Sequence, residues 1–428
     1  MGRWNPSHYA ISHCITAALL AGCSGSQPPI AAPGALPQTS TMSRGHAAAH
    51  HVLTGPSYEV LHRFSIRGHT HAAQPLAGLI EVNGTLYGTT QGKTFPIKAE
   101  NGTVYSMSTS GVTKTLYRFH GTDGSGPTAG LIDVDGTLYG TTYSGGAFAY
   151  GTVFSMTTNG VENVIYSFKG GSDGANPQAG LIDVNGTLYG TTFLGGGGQC
   201  TTPFGQGCGT VYSVSTAGAE KVLHSFNGSD GANPAAELLD VNGTLYGTTF
   251  GGGGYSYGSV FSITTGGSEK TLYEFTGGTD GARPFAPLIK VNGTLYGTTE
   301  YGGSAGNGNV YSITTTGSEN QVYSFAGGSD GDTPIGGLID VNGTLYGTTV
   351  FGGGSACQID GGSGCGVAFS LTTGGSENVL YRFQSGSDGA EPNGDLANVN
   401  GTLYGTTVLG GGSGCYHLGC GTVYALSP

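Results

Sequence analysis

One eight-residue phrase, Asn-Gly-Thr-Leu-Tyr-Gly-Thr-Thr, occurs in seven copies along the chain and constrains its fold more than any other feature. The first copy begins at Asn83 and the last at Asn400, and one copy has Asp135 in place of the first asparagine. The tyrosines of successive copies are separated by 50 to 58 residues; they are Tyr87, Tyr139, Tyr189, Tyr246, Tyr296, Tyr346 and Tyr404. A period near fifty residues in a β-rich sequence is typical of propeller blades. The repeat therefore predicts an all-β protein, a seven-bladed β-propeller.

Each unit reads as four strands, and the third unit shows the pattern. Strands A to D are predicted at residues 179–184, 187–192, 209–216 and 221–226. Asn185-Gly186, between two β-prone runs, predicts a two-residue type I′ turn, because that turn needs a positive φ at both positions. The Gly and Thr residues of the phrase are expected to let neighbouring sheets approach closely.

The two ends of the repeat region complement each other. A D-type strand is predicted at residues 58–64 with no A, B or C strand before it, and the chain ends with a C-type strand at residues 421–426. Pairing of these two strands would fasten the ring and complete seven blades of four strands. We therefore expect one closed domain that spans residues 57–428, rather than the several domains that the length alone would allow.

The first 56 residues differ from the repeat region. Residues 1–23 contain a lone basic Arg3, a short apolar run and the tetrapeptide Leu-Ala-Gly-Cys that ends at Cys23. This pattern predicts an export signal with a lipobox and lipidation at Cys23, with an ordinary cleaved signal peptide as the alternative. Because the apolar run is too short to cross a bilayer, membrane contact is expected only through the lipid anchor. Residues 24–56, rich in Ser, Pro, Ala and Gly, are predicted to form a flexible tether.

The cysteines indicate an oxidising compartment. Cys14 and Cys23 lie in the signal region, and the other six form close pairs in loops between strands B and C: Cys200 with Cys208, Cys357 with Cys365, and Cys415 with Cys420. In an exported chain such local pairs predict disulfides. Zinc is the alternative, but no Cys-x-x-Cys motif or matching histidine spacing accompanies the pairs. We expect the bridges to stiffen three long loops, either for ligand recognition or against proteolysis.

An Asp-Gly pair recurs in six of the seven loops between strand D and the next strand A. Its aspartates are Asp123, Asp173, Asp230, Asp280, Asp330 and Asp388. A near-symmetric ring of six carboxylates could bind a cation such as calcium or accept hydrogen bonds from sugar hydroxyls. The favoured alternative is turn formation, since Asp before Gly caps a tight turn, and calcium requires six to eight oxygen ligands.

The phrase and its surroundings resemble a known repeat. Leu-Tyr-Gly-Thr-Thr, followed by Gly-Gly and, in the second unit, by Gly-Thr-Val-Phe-Ser and Thr-Thr-Asn-Gly over residues 151–160, resembles the tandem repeat of the GloVer-type "choice-of-anchor" bacterial surface proteins. More distantly it is similar to kelch-like propeller repeats. The resemblance covers all seven units and implies an exported, anchored protein, with Cys23 as the anchor. It supplies no catalytic residues. The first unit departs from the pattern, because residues 65–71 replace the usual Ser-Asp-Gly loop.

The net charge and the absence of recurring catalytic motifs limit the classes of function that the sequence supports. A net charge of -12 with only 14 Lys plus Arg argues against nucleic acid, because phosphate binding needs a basic surface. No recurring catalytic set is visible, so we predict an extracytoplasmic binding or scaffolding module for carbohydrate or a surface protein, monomeric and located in the periplasm or at the cell surface. The alternatives are a purely structural surface protein or a lyase or hydrolase acting on polysaccharide, whose candidate residues are His69, His71, Lys93, Lys98 and His417.

Overall fold

The Asn-Gly pair of each repeat closes the predicted hairpin in the computed structural model of the protein. In blade 3, Asn185 and Gly186 have φ values of 54° and 80°, and the two strands that they join pair in register from Val184 with Thr187 to Ile182 with Tyr189. Positive φ at both central positions is the requirement of a type I′ turn. The hairpin at the centre of the repeat is therefore confirmed.

The structure describes residues 56–65, 73–92, 101–202, 205–354, 357–359, 362–412, 415 and 418–428. All of them belong to one compact unit, Pro56–Pro428. The signal peptide, Cys23 and the tether up to residue 55 lie outside the described residues, so their assignments stay predictions. The five candidates of the enzyme alternative also lie outside them: His69, His71, Lys93, Lys98 and His417.

Seven antiparallel sheets, each with the strand order A-B-C-D, form the ring. The A strands are Ile80–Val82, Ile132–Val134, Ile182–Val184, Leu239–Val241, Ile289–Val291, Ile339–Val341 and Ala397–Val399. The B strands are Thr85–Thr90, Thr137–Thr142, Thr187–Thr192, Thr244–Thr249, Thr294–Thr299, Thr344–Thr349 and Thr402–Leu409. The A strand of blade 1 contacts those of blades 2 and 7, which places the A strands around the central axis.

The C and D strands lie further from the axis. The C strands are Thr103–Ser108, Thr152–Thr157, Thr210–Ser215, Ser259–Thr264, Asn309–Ile313, Val367–Thr372 and Thr422–Ser427. The outer D strands are Thr113–Arg118, Glu162–Ser167, Glu220–Ser225, Glu269–Glu274, Glu319–Ser324, Glu377–Arg382 and, for blade 7, Ser57–Arg63. The prediction of a seven-bladed β-propeller is confirmed.

Smaller elements lie in the connecting loops. Two short hairpins, Thr201–Thr202 with Gly205–Gln206 and Gln358–Ile359 with Gly362–Ser363, occupy the B-to-C loops of blades 3 and 6. Ala390–Pro392 pairs with the B strand of blade 7, and Gly171–Asp173 forms a single 3₁₀ turn. In the part of the chain that the structure describes, no helix has the length and apolar character needed to traverse a bilayer.

The N-terminal strand closes the ring as the sequence predicts. Ser57–Arg63 pairs antiparallel with the C-terminal strand, from Ser57 with Ser427 to Arg63 with Thr422. One residue beyond this ladder, the backbone N–H of Phe64 donates to the carbonyl oxygen of Gly421 at 3.0 Å. The last blade is thus assembled from both ends of the repeat region, and the ring is fastened by backbone hydrogen bonds.

Neighbouring blades pack through one edge-to-face aromatic pair at each interface. The phenylalanine that follows each D strand meets the aromatic residue of the next C strand, with ring centroids 5.0 to 5.2 Å apart. This geometry places a positive ring edge against a negative ring face. The pairs are Phe64–Tyr105, Phe119–Phe154, Phe168–Tyr212, Phe226–Phe261, Phe275–Tyr311, Phe325–Phe369 and Phe383–Tyr424.

The glycine inside Leu-Tyr-Gly-Thr-Thr serves its own blade. Gly190 is the direct cross-strand partner of Tyr212, and a Cβ at Gly190 would lie 2.6 Å from the Tyr212 hydroxyl oxygen. The glycine therefore makes room for the C-strand ring that takes part in the inter-blade pair. The sequence analysis expected the glycine to let neighbouring sheets approach; in the structure it does so indirectly, because the ring of Tyr212 that it accommodates makes the contact with the neighbouring sheet.

Candidate functional site at the propeller axis

The A strand of blade 3 is shorter than the sequence predicts, and the residues left out of the sheet lie near the axis. The strand was expected to begin at Ala179, but it is Ile182–Val184. The hydroxyl of Thr141 in blade 2 donates to the Ala179 carbonyl at 2.9 Å. Equivalent bonds at 3.0 Å join Thr89 to Ala129 and Thr406 to Ala77. In blades 1 to 3 the segment before strand A is thus held by the neighbouring blade.

Segments of this kind from all seven blades enclose a cavity of about 400 Å³. Its lining is mostly small and apolar, and it includes Ala77, Ala129, Ala179 and Ala236. Because these segments come immediately before the A strands, the cavity lies on the face of the D-to-A and B-to-C loops. Those two loop sets are joined there by backbone bonds, as between Ala175 and Leu194. The cavity volume falls in the range of small-molecule sites, about 300–1,000 Å³.

Two carboxylic acids interrupt the small residues around the axis. The position directly before the leucine that leads into strand A is glycine in four blades, Pro287 in blade 5, Glu237 in blade 4 and Asp395 in blade 7. Glu237 Oε2 lies 2.7 Å from where a Cβ of Gly180 would be. Asp395 Oδ1 accepts a hydrogen bond of 2.5 Å from the Gly337 N–H. In both cases the glycine of the preceding blade leaves room for the acid.

The enclosure of these acids changes their ionisation. Burial, and then the nearby charge of Asp395, raise the pKa of Glu237 to about 8. Burial also raises the pKa of Asp395, although the Gly337 N–H opposes the shift. Both side chains are half-buried, and the surface that they keep faces the cavity. Since desolvation disfavours the charged form, Glu237 retains its proton near neutral pH and can donate a hydrogen bond.

Within the described part of the chain, exposed aromatic side chains occur on two B-to-C loops of the same face. Phe148 and Tyr150 belong to blade 2, and Tyr255 and Tyr257 belong to blade 4; their exposed fractions range from 37% to 59%. An aromatic ring that remains exposed offers a flat apolar surface, and tyrosine adds a hydroxyl at its edge. The face around the cavity therefore combines apolar rings with hydrogen-bonding groups.

The six aspartates of the Asp-Gly turns are bonded within their own loops. Asp173 accepts hydrogen bonds from the Tyr166 hydroxyl at 2.6 Å and from the Lys169 N–H at 2.7 Å. Asp123, Asp280, Asp330 and Asp388 have the same two kinds of partner, a D-strand tyrosine and a backbone N–H. At Asp230, His224 replaces the tyrosine. These are turn-forming contacts, and a role of the six residues in binding calcium or another ligand stays a prediction.

A second carboxyl group accompanies most of these aspartates, and the sequence analysis missed it. Glu162, at the start of the D strand of blade 2, lies beside Asp123 of blade 1, and burial together with that charge raises its pKa to about 7. The same causes raise the pKa of Glu220, Glu319 and Glu377 to about 7. The sequence feature that could have revealed these groups is a glutamate that recurs at the start of the D strand in blades 2 to 6.

The three predicted disulfides are confirmed. Their Cα atoms are 5.0 Å apart for Cys200–Cys208 and 5.2 Å apart for both Cys357–Cys365 and Cys415–Cys420. The first bridge packs against the D-to-A loop, where Cys200 Sγ lies 3.3 Å from the Cβ position of Gly228. Disulfides are typical of exported proteins, so these three fit an extracytoplasmic location.

Glu237 and Asp395 were not among the residues singled out from the sequence. They are nevertheless visible there, because each breaks the repeat at a position where four of the seven units carry glycine. The Asp-Gly turns stand out because they recur symmetrically, whereas the axial acids are distinguished by asymmetry.

Comparison with known proteins identifies a repeat family that matches the chain and several solved structures with a similar fold. The model of the Gloeobacter/Verrucomicrobia repeat matches residues 46–204 and 201–424, and none of the curated proteins matches. Similar solved structures include a luciferin-regenerating enzyme, 14% identical over 87% of this chain and 96% of its own, with a TM-score of 0.43. A putative 6-phosphogluconolactonase from Bacteroides uniformis is 12% identical over 72% and 84% of the two chains, with a TM-score of 0.46. A gluconolactonase from Xanthomonas campestris is 10% identical over 88% and 90%, with a TM-score of 0.42.

Proposed function

The chain belongs to the Gloeobacter/Verrucomicrobia repeat family, and we propose that this member is an extracytoplasmic binding module that takes a carbohydrate at its axial cavity. The observation that carries the proposal is the pair Glu237 and Asp395. These are two carboxyl groups that depart from the repeat and project from opposite parts of the sequence into one cavity built by all seven blades. Because the fold needs only the repeated residue at this position, residues that depart from the repeat at a cavity indicate a role in binding rather than in folding.

The chemistry of the lining favours an uncharged, hydroxyl-rich ligand. The lining residues that the structure describes include no lysine or arginine, so an anionic ligand would find no countercharge among them. The whole chain carries a net charge of -12. A protonated Glu237 donates a hydrogen bond, and Asp395 and the surrounding backbone carbonyls accept them. Sugar hydroxyls are both donors and acceptors, which matches such a mixed set.

The surrounding loops extend this surface. Tyr255 and Tyr257 of blade 4, together with Phe148 and Tyr150 of blade 2, present exposed rings on the face that holds the cavity. These rings can cover the apolar faces of sugar units that continue beyond the cavity. Disulfide-stiffened loops on the same face lower the entropy that is lost when a ligand is bound. The proposed ligand is thus a neutral oligosaccharide with one unit at the axis.

A second candidate function is hydrolysis of the same class of ligand. Glycoside hydrolysis uses one protonated and one ionised carboxyl group. The pKa of Glu237, raised to about 8, and the presence of Asp395 in the same cavity favour this function. A general acid is most effective when its pKa lies near the working pH. Glu237 would donate the proton and Asp395 would act as the base or nucleophile.

Titration calorimetry of the full chain against a panel of neutral oligosaccharides tests the proposal. For a sugar that binds, Glu237→Gln and Asp395→Asn are expected to weaken affinity at least tenfold, because each disturbs a hydrogen bond at a buried site. The matched control is Asp183→Asn, which changes an exposed carboxylate in the middle of the A strand of blade 3 that does not line the cavity. Equal affinity in all variants would move the site away from the axis, and no binding to any sugar would refute the carbohydrate proposal. Release of shorter products by wild type, abolished in Glu237→Gln, would favour the enzyme.

A further inference from the structure

A recurring side-chain cluster lies at the outer edge of the interface between neighbouring blades. It consists of a D-strand tyrosine, the aspartate of the following turn and the glutamate that begins the D strand of the next blade. Tyr273, for example, donates to Asp280 at 3.1 Å, and the charge of Asp280 acts on Glu319. These clusters are remote from the axis because the D strands are the outermost strands of each sheet.

Among the described residues, only the interface between blades 3 and 4 combines a histidine at the tyrosine position with both carboxyl groups. His62 occupies that position in blade 7, but it faces Thr113, which stands in blade 1 where other blades have the glutamate. His224 Nε2 lies 3.0 Å from Asp230 Oδ2. One ligand atom each from His224, Asp230 and Glu269 lies within 4.8 Å of the others, and all three residues are half-buried. The imidazole therefore converts a pair of carboxylates into a set of three potential metal ligands.

We propose that His224, Asp230 and Glu269 bind a divalent transition-metal ion, of the Zn²⁺ type, between blades 3 and 4. One nitrogen and two carboxylate oxygens are ligands that zinc accepts, with bonds of about 2.0–2.2 Å. Ligand atoms around such an ion are about 3.3 Å apart, so the observed separations, at most 4.8 Å, need to shorten by no more than about 1.5 Å. Calcium is disfavoured, since it takes six to eight oxygen ligands and imidazole suits zinc and its neighbours.

Charge supports the proposal. Two ionised carboxylates and a neutral imidazole together carry a charge of minus two, which a divalent cation neutralises. Asp230 and Glu269 come from different blades, and their ligand atoms lie within 4.8 Å of each other. A cation bound between the two carboxylates would offset their mutual repulsion.

Residues around the cluster already orient two of its ligands. The Asn227 N–H donates to Asp230 Oδ1 at 2.9 Å, and the Asn227 side-chain amide donates to Oδ2 at 3.0 Å, so Asn227 holds the carboxylate with Oδ2 beside His224 Nε2. The Thr271 hydroxyl donates to Glu269 Oε1 at 3.3 Å. Thr271 occupies a place that is valine in the D strands of blades 2, 3 and 6, so the interface with the histidine also has its own support for the glutamate. Hydrogen bonds of this kind orient ligands at metal sites.

The tyrosine clusters are natural negative controls within the same molecule. Burial and neighbouring carboxylates raise the pKa of Tyr166 and Tyr273 above the ordinary value, so their phenols are protonated at neutral pH and cannot replace the imidazole. Converting His224 to tyrosine restores the residue that the fold accepts at this position in blades 1, 2, 4, 5 and 6. The proposal is therefore testable with a variant designed on the protein's own repeat.

The test compares Zn²⁺ binding by the full-length wild type and His224→Tyr, after removal of metal with a chelator, by calorimetry and by metal analysis. Wild type is expected to bind one more equivalent of Zn²⁺ than His224→Tyr, and its melting temperature should rise with Zn²⁺ by more than that of the variant. Histidines elsewhere are common to both proteins, so the difference isolates this site. Ca²⁺ is expected to produce neither effect.

Two further variants keep the test decisive. Glu269→Gln should also lose the additional equivalent, and it replaces His224→Tyr if the latter fails to fold. Tyr273→His builds the same three residues with Asp280 and Glu319 at the next interface and is expected to gain an equivalent. Identical Zn²⁺ stoichiometry in wild type, His224→Tyr and Glu269→Gln, including no binding at all, would overturn the proposal.

Discussion

The aromatic rings of Tyr58 and Tyr381 are stacked, with centroids 3.7 Å apart and planes inclined by 7°. Tyr58 lies in the N-terminal strand that completes blade 7, and Tyr381 lies in the D strand of blade 6. The Tyr58 hydroxyl also donates to the Asp388 carbonyl at 2.7 Å. Blades 2 to 6 have a glutamate at the position of Tyr58. Ring closure thus replaces a buried carboxyl group with an aromatic contact.

Truncation of this side chain should weaken the closed ring. Tyr58→Ala is expected to lower the free energy of unfolding by about 2–3 kcal/mol, through lost apolar burial and lost stacking. Tyr58→Phe keeps the stack and loses one hydrogen bond, so it should cost about 1 kcal/mol. Urea denaturation of both variants measures the difference. Equal costs would mean that the hydroxyl rather than the stack holds the strand.

The four inter-blade glutamates with a pKa of about 7 predict a stability that depends on pH. Their pKa in the folded protein is above the ordinary value near 4.5, so the folded state binds protons more tightly than the unfolded state. Their stabilising contribution is complete below about pH 4.5 and is lost as the pH rises through 7. The melting temperature should therefore fall between pH 5 and pH 8.

Combined replacement identifies the responsible groups. Changing Glu162, Glu220, Glu319 and Glu377 to glutamine is expected to flatten the fall in melting temperature between pH 5 and pH 8. The control changes the four exposed A-strand residues Asp133, Asp183, Asp240 and Asp340 to asparagine, the residue that blade 7 already has as Asn398. A control that flattened the profile equally would point to net charge rather than burial.

Gly209, which ends the B-to-C loop of blade 3, should not tolerate a side chain. Its φ is 90°, and a Cβ would lie 2.3 Å from the Thr192 carbonyl oxygen. Gly209→Ala is expected to cost about 2–4 kcal/mol, from backbone strain and a clash that cannot relax. Gly186→Ala is the matched control, since Gly186 has a φ of 80° but no atom within 4 Å of its Cβ position. Chemical denaturation should show a smaller loss for the control, and similar losses would exclude the clash.

Loss of a disulfide should act locally. The pair Cys200–Cys208 spans 8 residues, a loop shorter than the fifteen residues for which about 3 kcal/mol is expected. Replacing both cysteines with serine is therefore expected to lower the free energy of unfolding by less than about 3 kcal/mol and to speed proteolytic cleavage within this loop. Limited proteolysis followed by mass spectrometry locates the cuts. Faster cleavage spread evenly over all blades would instead assign the bridge a role in the whole ring.

Local signals carried most of the fold prediction. The Asn-Gly turn, the cysteine pairs and the unpaired strand types at the two ends are each readable over a few residues, because turn geometry and strand order depend on near neighbours. Strand A of blade 3 was predicted to begin at Ala179 but begins at Ile182, and the Ala179 carbonyl accepts its hydrogen bond from Thr141 of another blade, a contact that the local sequence does not show. The Asp-Gly residues recur at one position in six units, whereas Glu237 and Asp395 are visible in the sequence only as departures from the repeat.

The sequence by itself determined the number of blades, the hairpin register and the closure of the ring by the N-terminal strand, since all three follow from one repeated phrase and its phase. Only the tertiary structure decided which side chains meet. Glu237 and Asp395 share one cavity although 158 positions separate them, and Glu269 reaches His224 and Asp230 from the next blade. Such contacts depend on the radius of the ring and on how closely successive sheets pack, and those quantities arise only when all seven interfaces form together.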